Sequence, residues 1–242
     1  MYLEESVIHA IREKIQKNHD DVLGHLVNNN KYVSPTKVVS ILNKISKKNM
    51  KSVETKLLNI LKENKQNIHI VSKLLMFCAC TQILFKDEYV QLCKTIPIPR
   101  EHILSFYSLQ CIKNNKKIVD LLRKSDYDSF CSLNKIKDYM KNCYVFLICL
   151  YKSDVLTTDD TCHLCTHVID SARTQFKQNS VFLDILVALV EHMPARIMGR
   201  YTEKITCIIN CLRKHKSMNR YRFMLLNAFD ESNMLRKETK RG

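Results

Sequence analysis

The chain has 242 residues, 45% of them hydrophobic, with 39 Lys or Arg against 24 Asp or Glu and a formal net charge of +15. That length suits one elongated domain or two small ones with a continuous core, and the charge favours anionic partners: RNA, DNA or an acidic protein face. Only 3 Gly and 4 Pro occur and Trp is absent, which argues against a β-sandwich or barrel built on tight hairpins and against Gly-rich nucleotide-binding loops.

The first amphipathic stretch covers 2–17, with Val7, Ile8, Ile11 and Ile15 on one stripe at the helical period. Its acidic-to-basic start is unlike a secretory leader, so the 11 Cys are expected as reduced thiols in a cytoplasmic or nuclear setting. Residues 18–33 are polar and Asn-rich around Leu23, Leu26 and Val27, and 1–33 reads as an N-terminal helix and linker. Ser34-Pro35 is a helix start, with Ser capping free amides and Pro fitting the first turn; that helix is expected to reach about Ser46. Helices follow over 49–63 and 67–84. The next ends at Thr95, where Pro97 and Pro99 break the chain before one starting near Arg100.

The stretch 113–137 is more polar and is expected to hold one or two short helices, whereas 137–152 is strongly apolar. Thr157 and Thr158 followed by Asp159 and Asp160 form another cap, with acids near a helix N-terminus. Helices over 159–177, 180–192, 201–215 and 218–232 complete the series, and 236–242 is a charged tail. The apolar runs 70–85 and 143–151 fall short of the ~18 residues of a membrane span and read as buried core helices. The pattern is about ten to twelve helices in pairs, the unit of helical-repeat stacks, although no clean repeat is visible.

Four stretches carry a sharper signal. The first is Val38-Val39-Ser40-Ile41-Leu42-Asn43-Lys44-Ile45-Ser46, then Asn49 and a helix through Val53, Leu57 and Ile60. The second is an apolar helix from Ile70 followed by Phe85 and Tyr89-Val90-Gln91-Leu92-Cys93. The third is Asn142, Phe146-Leu147, Leu150-Tyr151-Lys152 and Val155-Leu156-Thr157; the last is Lys214-His215-Lys216-Ser217, then Arg220-Tyr221-Arg222-Phe223-Met224-Leu225-Leu226-Asn227-Ala228-Phe229-Asp230. In this order, over roughly 34–235, they resemble the middle domain of the eukaryotic translation initiation factor 4 gamma family. The chain departs from it at Lys37, where an Arg pair is usual, at Met140-Lys141 in place of Leu-Gly, in a shortened charged insertion over 113–137, and in lacking the aromatic after the last block.

The resemblance implies an all-α, HEAT-repeat α-solenoid of about five antiparallel helix pairs, acting as a monomeric, cytoplasmic translation-initiation scaffold. Its implied partner is a DEAD-box RNA helicase of the four-A type, one lobe meeting Asn43, Lys44, Lys47 and Asn49, the other Tyr201, Lys204, Arg220 and Arg222. Leu42, Phe223 and Leu225 in the same stretches read as core. RNA is the second expected partner, at Lys44, Lys47, Lys48 and Lys51, at Lys113, Lys116 and Lys117, and at Arg213, Lys214 and Lys216; solvated helix faces are the alternative reading of each cluster. Tyr2, Val7 and Ile8 nearly match the family's Y-x-x-x-x-L-Φ peptide for a cap-binding protein, and equally form an apolar stripe.

The run Cys162-His163-Leu164-Cys165-Thr166-His167 invites a zinc reading, but on one helix its ligands point two ways and cannot converge on a tetrahedral ion. Buried thiols are expected there instead, with no metal. The 9 His are scattered without a catalytic spacing, so neither enzyme activity nor a cofactor is expected, and no membrane partner. The chain reads as an excised domain or a minimal version, as a large DNA virus or compact parasite would encode. The alternatives are a related RNA-processing scaffold (nuclear cap-binding, mRNA decay, splicing or poly(A)-binding-protein partner) and a helical-repeat adaptor without an RNA role.

Overall fold

Ten α-helices form among the residues that the computed structural model describes, 32–124, 126–176 and 180–238, and no strand occurs among them. In chain order they are α1 (Pro35–Leu42), α2 (Met50–Glu63), α3 (Ile68–Thr81), α4 (Lys86–Thr95), α5 (Arg100–Leu122), α6 (Tyr127–Lys152), α7 (Thr158–Gln175), α8 (Val181–His192), α9 (Ala195–Arg213) and α10 (Asn219–Glu238).

Local chemistry sets many of the boundaries. Thr157 and Asp160 form a reciprocal capping box: Asp160 N donates to Thr157 Oγ1 at 3.2 Å and Thr157 N to Asp160 Oδ2 at 3.0 Å. Asp126 caps α6 by accepting from Ser129 N at 2.8 Å. Pro35 opens α1 as expected, but the Ser34 hydroxyl caps nothing and lies 2.5 Å from that of Thr36. Pro99 and Pro194 stand immediately before α5 and α9; a proline there loses no helical hydrogen bond.

The middle of the chain differs from the sequence expectation. Residues 113–137 hold no short helices of their own. They are the second half of a 23-residue α5 and the first part of a 26-residue α6. Their polarity reflects exposure, since only Asn114 and Ile118 among 113–122 are buried. Helix α9 likewise begins at Ala195, ahead of the expected start at Tyr201 by more than a turn and a half.

Each helix from α1 to α8 packs on the helix two positions further on, and α1 packs on α2, α3 on α4, α5 on α6, α6 on α7, α7 on α8 and α9 on α10. Thus α1, α3, α5, α7 and α9 touch in series, as do α2, α4, α6, α8 and α10. The result is a two-layer array of five helix pairs. Its core lies between the layers and is densest at α6 and α8, where Phe146, Leu147, Ile148, Leu150, Leu183, Ile185 and Leu186 are fully buried.

The odd-numbered helices share a register at their starts. Ser72 Oγ in α3 lies 3.1 Å from His102 Nδ1 in α5. The Arg100 guanidinium of α5 donates to Asp160 of α7 at 2.5 Å, and Arg200 of α9 to Asp159 at 2.6 Å. Lengths are not shared: α3 has 14 residues and α5 has 23. With starts aligned, the surplus of α5 lies at its C-terminal end, so the α5–α6 hairpin projects past α3 and α4 by on the order of 13 Å at 1.5 Å per residue.

Candidate protein and nucleic-acid interface

At the first pair, the turn after α1 is built by its own polar side chains. Asn49 Oδ1 accepts from Ser46 N at 2.8 Å, and Asn49 Nδ2 donates to the Lys44 carbonyl. Asn43 Oδ1 accepts from Gln82 Nε2 at 2.7 Å, tying this turn to the one after α3. The buried Tyr89 hydroxyl sits 3.0 Å from Gln82 Oε1 and 3.3 Å from the Leu42 carbonyl. Asn43 and Asn49 thus shape the turn, while Lys44, Lys47, Lys48 and Lys51 are exposed upon it.

At the fifth pair the expected contact residues divide. Tyr201 is only 5% exposed, its hydroxyl donating to the Cys162 carbonyl and lying 2.9 Å from Thr166 Oγ1. It joins α9 to α7 and is not a surface contact, because its ring packs in the core and its polar tip finds a buried acceptor. Lys204 pairs with Asp170 at 3.0 Å. Arg220 is exposed and Arg222 half-buried at the start of α10, and Arg213, Lys214 and Lys216 are exposed on the approach to it.

Leu42 and Leu225 are core residues, as expected. Phe223 is not: it is 55% exposed, with the Arg222 guanidinium 5.3 Å from its ring centroid. The buried side of α10 runs instead through Leu225 and Ala228, and position 223 falls outside that stripe at 100° per residue.

Lys113, Lys116 and Lys117 are exposed on α5. Burial, and then the charge of Lys113, lower the pKa of Lys73 on the neighbouring α3. The structure therefore brings the sequence-identified bases together in three places: the turn after α1, the outer face of α5 and the turn before α10. No described ion pair engages Lys44, Lys47, Lys48, Lys116, Lys117, Lys214, Lys216 or Arg220.

In α7, Cys162 and Cys165 are buried free thiols, and burial raises the pKa of Cys165. His163 is exposed on another side, and His167 is half-buried against Asn115, 3.2 Å from its ring nitrogen. Among the described residues no three His, Cys, Asp or Glu side chains gather to hold a metal, and no helix is by itself long and apolar enough to cross a membrane. The expected cap-binding-protein residues Tyr2, Val7 and Ile8 lie outside the described residues.

The run 70–85, expected as a buried core helix, ends as a helix at Thr81 and leaves Leu84 and Phe85 exposed in the turn after α3, and sequence reasoning passed over the exposed Leu109 and Ile112 on α5 and Tyr127 and Phe130 in the first turn of α6. Tyr127 and Phe130 at a helical spacing of three, inside a polar stretch, were the available signal. Comparison of the sequence with protein-family models and with curated proteins finds no match.

Proposed function

We propose that the chain is a cytoplasmic scaffold domain of the translation-initiation kind, a HEAT-type stack resembling the middle domain of initiation factor 4 gamma, which holds a DEAD-box RNA helicase of the four-A type and binds RNA. The observation that supports this reading most is the separation of two basic ends of the stack. Lys44 and Lys47 sit on the first helix pair and Arg220 and Arg222 on the fifth, with three packed pairs between them. A two-lobed partner gripped at both ends of a fixed spacer is biased toward the lobe arrangement that fits the spacing, and only such differential binding shifts its population. The family-like stretches fall on α1–α2, α3–α4, α6 and α9–α10, so both ends belong to the resemblance.

The test is capture of a four-A-type helicase, together with stimulation of its RNA-dependent ATPase. Lys44→Glu with Lys47→Glu, and separately Arg220→Glu with Arg222→Glu, are each expected to weaken capture about tenfold or more, since reversing rim charges turns attraction into repulsion. Losing stimulation in either pair while residual binding persists supports a two-ended grip. No stimulation by the unaltered chain, together with no salt-dependent RNA binding, leaves a helical adaptor without an RNA role. Nucleotide turnover without added helicase overturns the binding-module reading. If Tyr2→Ala leaves binding to a cap-binding protein unchanged, that partner is removed from the proposal.

A further inference from the structure

We infer that the projecting α5–α6 hairpin is a stacking platform for single-stranded RNA, with bases on Tyr127 and Phe130 and phosphates along the basic face of α5. The inference rests on the RNA-binding part of the proposed function and assigns it a place and a strand type.

Tyr127 and Phe130 are 77% and 59% exposed. Three residues apart in the first turn of α6, they share a face. That turn is rigid, because Asp126 accepts hydrogen bonds from both the amide and the hydroxyl of Ser129, at 2.8 and 2.7 Å, and Ser129 itself is buried. Two aromatic faces are therefore held in solvent with little left to order on binding, and the core gains nothing from them.

The surroundings are basic. Arg123 and Lys124 precede the aromatics, and Lys113, Lys116 and Lys117 are exposed along α5 behind them. Lys116 and the C-cap residue Arg123 are two turns apart on one face of α5, and Lys124 follows just past the helix end. From Lys113 to Arg123 at the end of α5 the track is on the order of 15 Å at 1.5 Å per residue, and the tip of the hairpin carries it on to Tyr127, room for the roughly four nucleotides at the lower end of single-strand site sizes. The nearby acids are Asp120, Asp126 and Asp128, and Asp126 is occupied by Ser129.

This combination selects a single strand. Every base offers a π-face to an aromatic ring once unstacked, whereas a duplex keeps those faces covered. An acidic protein surface would satisfy the lysines, but it would leave two ring faces without a flat partner.

The test is fluorescence anisotropy with a short fluorescein-labelled oligouridylate, its oligothymidylate counterpart and an RNA duplex of equal length. The pair Tyr127→Ala, Phe130→Ala is expected to weaken oligouridylate binding tenfold or more while leaving the salt dependence unchanged. The pair Tyr127→Phe, Phe130→Tyr is expected to bind as the unaltered chain does. Lys116→Gln with Arg123→Gln is expected to lower the salt slope by about 1.4, at roughly 0.7 per phosphate contact on a single strand. Both aromatics are exposed, so an unchanged melting temperature of the alanine pair excludes unfolding as the cause.

Equal oligouridylate affinity in the alanine pair, a duplex that competes as well as the single strand, or tighter binding of oligothymidylate than of oligouridylate would each overturn the inference. Helicase capture by the alanine pair is expected to be intact; its loss reassigns the corner to a protein contact. An unaltered chain that captures helicase but binds no oligouridylate sinks this inference and leaves the helicase reading standing, whereas strand binding without capture does the opposite.

Discussion

Tyr201 shows how one side chain can read as surface in a sequence and serve as core in a fold. Its ring packs between α9 and α7, while its hydroxyl meets Thr166 and the Cys162 carbonyl. Tyr201→Phe keeps the ring and removes the hydrogen bonds, at a cost of about 1 kcal/mol. For a chain of this size that is a fall in melting temperature of about 2–4 °C, measured by thermal unfolding; no change would show that the hydroxyl contributes nothing. Phe223 errs in the opposite direction, an apolar residue expected inside and found outside. Both misreadings arise because residue type reports transfer preference, whereas burial depends on which face of the helix meets the neighbouring layer. Leu42 and Leu225 lie on that face and were legible for the same reason.

Helix boundaries were most legible where a side chain supplies the missing backbone partner. The capping box of α7 was visible as Thr157 through Asp160, and the break at Pro97 and Pro99 as prolines alone. The capping box also couples the helix to pH. Burial by itself raises the Asp160 carboxyl, but hydrogen bonds from Thr157 and from the Arg100 guanidinium outweigh it and hold the group below the usual carboxylate range. The unfolded chain therefore takes up this proton first. The stabilisation is present above about pH 4, the ordinary Asp value, and is lost as pH falls through the lowered one. Asp160→Asn is expected to flatten the acid side of the stability–pH profile, read from denaturant midpoints between neutral pH and pH 3; an unaltered slope would remove Asp160 from the account. The long α5 and α6 were not legible. Their distal halves stand clear of α3 and α4, so the apolar period that marks a helix is replaced there by lysines, and Asn114 occupies one of the few buried positions.

On the scale of the whole molecule, stability follows from each pair leaning on the next. Among the described residues no helix of the first pair packs extensively on one of the fifth, so the energy is close to a sum of nearest-neighbour terms. Amide hydrogen exchange is expected to be slowest in α6 and α8, where the fully buried leucines and isoleucines concentrate, and faster in the eight-residue α1. Uniform protection along the chain would contradict that gradient. The two-layer order was legible only as a count of paired helices. The register of the odd helices, fixed by Arg100, Asp159, Asp160 and Arg200, joins residues as far as 60 apart in sequence, and no local pattern announces such pairs.

The shared starting line of α3, α5 and α7 has a further consequence. Helix α5 is anchored at its start to both neighbours, so the length of the α5–α6 hairpin is free to vary at its tip without shifting them. Such an arrangement is a growth margin. Whole turns added at the tip of α5 and α6 would carry Arg123, Tyr127 and Phe130 outward by about 5.4 Å per turn and leave the interlayer packing near Phe146 and Leu150 as it is. The reach of the chain toward a ligand and the stability of its core are, by this geometry, separately adjustable.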